Sequence, residues 1–136
     1  MKKVLLAVFA ALVMIPVGAQ AADVIRCGAN PNGGELFGPY RSDPSGGGVR
    51  NQIPVSFSDL RAVVVRSSKG TTRIQGLQGF EANRRRWIVL VNTQIILSED
   101  NEYLVCIPRQ WNINQLVIDT SGGDKAKFRV YNYYAH

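Results

Sequence analysis

Histidine is almost missing from this chain of 136 residues: it occurs once, at His136. A Ser-His-Asp or Cys-His device needs an imidazole oriented by a third group, and a lone histidine at a position expected to fray speaks against both. Cysteine is nearly as scarce, with Cys27 and Cys106 alone. Two cysteines and one histidine lack the spaced ligands of a zinc site, so no metal and no cofactor is expected. The 13 glycines include no G-x-x-x-x-G-K-[ST] run, and G-G-G-V-R neither follows a clear strand nor opens a helix, which excludes a phosphate cradle. The acidic segment Ser98-Glu99-Asp100-Asn101-Glu102 lacks the alternating ligands and the glycine of a calcium loop and reads as a solvated turn. Beyond the first 17 residues no apolar stretch approaches a membrane-spanning length.

What is present begins with MKKVLLAVFAALVMIPVGAQAAD. Two lysines, an apolar run from Val4 to Val17 and the triplet Ala19-Gln20-Ala21 have the layout of a secretory signal peptide of bacterial type. Residues 1–21 are therefore expected to be cleaved, leaving a single domain over residues 22–136, not transmembrane after cleavage and located in the periplasm or secreted. In that oxidising setting Cys27 and Cys106 are expected to form a disulfide. Without Lys2 and Lys3, 14 of the 16 basic residues remain against 10 acidic ones, a net charge of +4. Eleven of the 14 are arginine, the side chain suited to bidentate contact with carboxylate and phosphate. Such a balance favours acidic partners, while export and the modest charge argue against nucleic acid.

The expected fold is all-β, a small antiparallel sandwich or barrel with one disulfide and a long N-terminal loop rich in Gly and Pro. Residues 28–54 hold four of the six prolines and are that loop, with one short strand around Glu35 to Tyr40. Beyond it the sequence suggests three hairpins. Arg61 to Ser67, where three valines disfavour a helix, would turn at Lys69-Gly70 onto Thr71 to Ile74. Trp87 to Leu97 would pair with Tyr103 to Ile107, and Leu116 to Thr120 with Lys125 to Tyr134 across Ser121-Gly122-Gly123-Asp124. In the last of these Ile118 would oppose Phe128, and Leu116 would oppose Val130, on the core face. Gly76 and Gly79 are expected to interrupt pairing as a bend or bulge. The unbroken apolar run from Trp87 suggests a central strand buried on both faces.

Two surfaces could carry binding. On the final strand, inward Ala126, Phe128 and Val130 leave Lys125, Lys127, Arg129, Tyr131 and Tyr133 on the opposite face, able to pair with anions and to stack on sugar rings or peptide planes. Arg84, Arg85 and Arg86 form one cationic surface only if they lie in a loop before the strand; within it, alternation divides them between faces. Glu35, Asp43, Asp59, Glu81 and Asp119 are candidate glycosidase carboxylates by type, though nothing in the sequence brings two together. A histidine-assisted nuclease could draw on Glu81, an arginine of the triplet and His136. The expectation is a non-enzymatic exported protein that binds a protein partner or an acidic glycan of the cell envelope or extracellular space, one form being an inhibitor or immunity protein. The alternatives are a small secreted hydrolase or toxin, and a structural envelope component.

Overall fold

The computed structural model describes residues 17–42, 48–122 and 125–136. Residues 1–16 of the expected leader, Asp43 and the Gly123-Asp124 turn lie outside the described residues. Among the described residues one helix, α1 (Val17–Arg26), precedes nine strands: β1 (Glu35–Arg41), β2 (Val49–Ile53), β3 (Leu60–Lys69), β4 (Thr72–Glu81), β5 (Arg86–Val91), β6 (Ile95–Leu97), β7 (Glu102–Cys106), β8 (Ile113–Gly122) and β9 (Lys127–Tyr134). The expected cut between Ala21 and Ala22 falls inside α1.

The strands form two antiparallel sheets, β1-β9-β3-β7 and β2-β8-β4-β5, with β6 paired to β4 beyond the end of β5. With β6 set aside as an extra short strand, that order is the one of a jelly roll. The expected all-β sandwich with one disulfide is what the chain forms. Between the sheets lies the main core, with Val63, Val65, Phe128 and Val130 from one side and Ile74, Leu77, Leu116 and Ile118 from the other. Alternation along each strand sends these residues inward, and close packing of two such faces is what holds a sandwich together.

All three expected hairpins are corrected. β3 and β4 lie in different sheets, as do β6 and β7, and β8 and β9. In each case the chain passes from one sheet to the other. Gly70 has φ +67, the conformation glycine supplies in any tight turn, so turn chemistry at Lys69-Gly70 marks a reversal without saying which sheet the chain enters next. Ile118 and Leu116 do share the core with Phe128 and Val130, but across it and not as ladder neighbours.

Residues 28–54 are also less loop-like than expected. They carry β1 and β2, each the edge strand of its sheet, where Pro39 and the glycines remove few ladder bonds. Register shifts occur at Ile74/Gly76 and at Leu77/Gln78, so the irregularity expected near Gly76 is present. Gly79 instead pairs in regular register with Ile88 and Leu116; a Cβ there would lie 2.8 Å from Cγ2 of Ile113, so close packing requires glycine.

A second cluster sits outside the first sheet, where Val24 of α1 and Ala29 cover Ala62, Val64 and Tyr133. β3 is therefore buried on both faces, which its continuous A-V-V-V run reflects. The Cys27–Cys106 disulfide, Cα to Cα 5.1 Å and 79 residues apart in sequence, ties the end of α1 to β7. Closing a loop of that length stabilises the fold by about 4 to 5 kcal/mol in the chain-entropy account.

Candidate functional site

The arginine triplet lies at the tip of the β4–β5 hairpin, a connection within one sheet that the sequence did not suggest. Ala82 to Arg85 make the turn, with Arg85 at φ +53, and Arg86 opens β5. Arg84, Arg85 and Arg86 are all exposed. A fully buried carboxylate fixes their backbone: Glu81, 0% exposed, accepts hydrogen bonds from the N–H of Arg84 at 2.7 Å and of Asn112 at 2.9 Å. The Ala82 N–H returns a bond to the Asn112 carbonyl at 2.9 Å, and the Arg84 guanidinium lies 3.6 Å from Glu81. The Asn112 N–H holds the Glu81 carboxyl below its ordinary range, against the effect of burial and with help from the N–H groups of Arg84 and Asn83. One buried anion thus staples the hairpin tip to the segment entering β8.

β5 is the outer strand of its sheet, not a central one. Trp87 and Val89 are 44% and 55% exposed, which corrects the expectation that this run is core. Ile88 and Leu90 are half-buried, and only Val91 is buried. Trp87 faces Phe80 across the ladder, ring centroids 5.4 Å apart in an edge-to-face arrangement. Its row continues to Gln115 on β8, and the next row runs Gln52, Val117, Gln78, Val89 across all four strands. This outer face combines aromatic, amide and apolar side chains. The alternation of R-I-Q-G-L-Q-G-F in β4 could have disclosed it, since the polar and aromatic members share one face once the bulge is allowed for.

The second expected surface is divided by its surroundings. Lys125 is exposed, at φ +66, before β9 begins. Lys127 is half-buried between Arg41 and Lys69 in register, and half-buried Arg129 stands beside Arg66. Tyr131 is half-buried against the α1 cluster, and Tyr133 is 7% exposed inside it. A Cβ on Gly34 would meet the Tyr133 ring at 2.6 Å, so backbone presses directly on the ring. Tyr133 is thus no open stacking platform; β9 lies between β1 and β3, and Val24 of α1 belongs to the cluster that encloses Tyr133.

The candidate carboxylates have separate partners. Tyr134 donates its hydroxyl to Glu35 at 2.7 Å, Arg50 grips Asp119 at 2.8 and 3.2 Å, and His136 Nδ1 lies 2.6 Å from Asp59 Oδ2. Burial works against the ionised form of Asp59, but the hydrogen bond with His136 and nearby backbone groups outweigh it and lower its carboxyl. His136 itself is 92% exposed. Among the described residues no group of three or more His, Cys, Asp or Glu side chains is placed to hold a metal ion. No helix among them is long and apolar enough to cross a membrane.

No family model matches the chain, and no curated protein does. Among solved structures, the crystal structure of PirA is similar at 18% identity and a TM-score of 0.43, over 74% of this chain and 93% of that one.

Proposed function

We propose that the chain is an exported, non-enzymatic binding protein of the bacterial periplasm or extracellular space, and that it engages a protein partner or an acidic glycan through the β4–β5 hairpin tip and the adjoining sheet face. One form of this role is an inhibitor or immunity protein. The observation that carries the reading is Trp87, 44% exposed and braced by Phe80, directly after Arg85 and Arg86, which have no acidic partner among the described residues. An aromatic anchor beside unneutralised guanidinium groups is the composition in which binding energy concentrates. The leader sequence supports export, and the disulfide is compatible with an oxidising compartment.

Charge reversal of Arg85 and Arg86 to Glu is expected to slow association with envelope material and to flatten its salt dependence. A rate indifferent to both reversal and salt would remove the tip from consideration. An enzymatic reading draws on one contact, His136 with Asp59 at 2.6 Å, the pairing a general base uses. It stands only if the protein has a hydrolytic activity that His136→Ala abolishes.

A further inference from the structure

We infer that the outer face of the β2-β8-β4-β5 sheet is a glycan-binding platform for an acidic polysaccharide, with Trp87 as the stacking surface for a sugar ring. The inference rests on the binding role proposed above and names the ligand class. Two kinds of observation carry it. The first is what surrounds the indole. Phe80 holds it edge-to-face, and the same row and the next present Gln115, Gln78 and Gln52, none of whose side chains has a hydrogen-bond partner among the described residues. Neighbours within a row stand about 5 Å apart and successive rows about 7 Å apart, so the indole and the amides form a grid on the scale of one or two sugar rings. Each amide offers both a donor and an acceptor, which suits vicinal hydroxyl groups; an apolar protein hot spot would instead be ringed by packed side chains.

The second observation is charge. Asp119, which lies on this face, is neutralised by Arg50. Arg73, Arg85 and Arg86 have no acidic partner among the described residues, so the face and its tip carry unpaired cations. Stacking and amides select a sugar, and the arginines select one bearing carboxylate, sulfate or phosphate.

The test is affinity electrophoresis of the exported protein through gels containing polygalacturonate, heparin or lipopolysaccharide, with dextran as the neutral control and polyphosphate as the polyanion without a sugar scaffold for stacking. Retardation is expected with at least one of the three acidic glycans and not with dextran or polyphosphate. Trp87→Ala, and separately Gln78→Ala with Gln115→Ala, should each weaken it by about tenfold with an unchanged thermal midpoint. Arg85→Gln with Arg86→Gln should weaken it and reduce its salt slope. Equal retardation by polyphosphate, or retardation that survives Trp87→Ala, overturns the inference in favour of polyanion adhesion. Absence of retardation in all three glycan gels also overturns it. If charge reversal at the tip still abolishes association with envelope protein, the binding role stands and only the glycan assignment falls.

Discussion

Two glutamates, Glu81 buried and Glu102 half-buried, set different constraints. Glu81 is ionised and fully satisfied by backbone donors, and its lowered carboxyl means that its contribution to stability is present above the unfolded value near 4.5 and is lost as pH falls through the lower folded value. Glu81→Gln replaces an acceptor oxygen by an NH2 group facing a backbone N–H. Hydrogen exchange at the Arg84 and Asn112 amides should therefore accelerate in this variant relative to amides in β3, and unchanged protection there would show that the staple is unimportant. Glu102 is the opposite case. Burial raises its carboxyl to about 7, partly countered by Arg66 at 3.6 Å, with Asp23 of α1 adding to the rise. A carboxyl that binds its proton more tightly when folded makes the native state less favoured as pH rises, with the loss developing from the unfolded value of 4.5 and complete above about 7. Glu102→Gln should raise the thermal midpoint at pH 8 by about 5 °C and flatten its decline between pH 5 and pH 8. A midpoint profile parallel to that of the wild type would refute this.

At the scale of elements, the strands themselves were legible and their partners were not. The valine run of β3, the alternation of β8 and β9 and the turn residues between them all announce extended chain, because period-two burial and Gly-based reversal are local properties. Whether a reversal stays in one sheet depends on which strand arrives later at the open edge, which no local signal encodes. Hence β3 with β4 and β8 with β9 read as hairpins although each pair is divided between the two sheets, while the true hairpin, E-A-N-R-R-R-W, reads as a cationic motif before a core strand. Trp87 was placed inside because an apolar run suggests burial, but an edge strand with an uncovered outer face leaves such residues in water. The tyrosines of β9 depart the other way: the leader reading takes in only residues 17–21 of α1, and no local signal shows that residues 22–26 are helical and bring Val24 over Tyr133. Paired substitutions separate the two environments. Tyr133→Ala should cost about 3 to 5 kcal/mol of unfolding free energy in denaturant titration, as removal of a buried ring does, and Trp87→Ala should change it by less than about 1 kcal/mol. Similar losses in both would contradict the assignment of core and surface.

The whole molecule is a jelly roll in which one sheet is covered by a disulfide-anchored helix and the other leaves its outer face open. That asymmetry leaves one outer face of the fold uncovered without by itself naming an activity. The candidate site was half legible: Arg84, Arg85 and Arg86 were singled out from the sequence, but the amide and aromatic grid beside them depends on register among four strands. The central claim is that the tip and the Trp87 face bind together as one surface. Its most direct test is the association rate of the protein with immobilised envelope material, measured across salt for the wild type, Trp87→Ala, and Arg85→Glu with Arg86→Glu. The account predicts that the charge reversal slows association and flattens the salt dependence, and that Trp87→Ala speeds dissociation while leaving association and fold intact. Wild-type rates in both variants would contradict it.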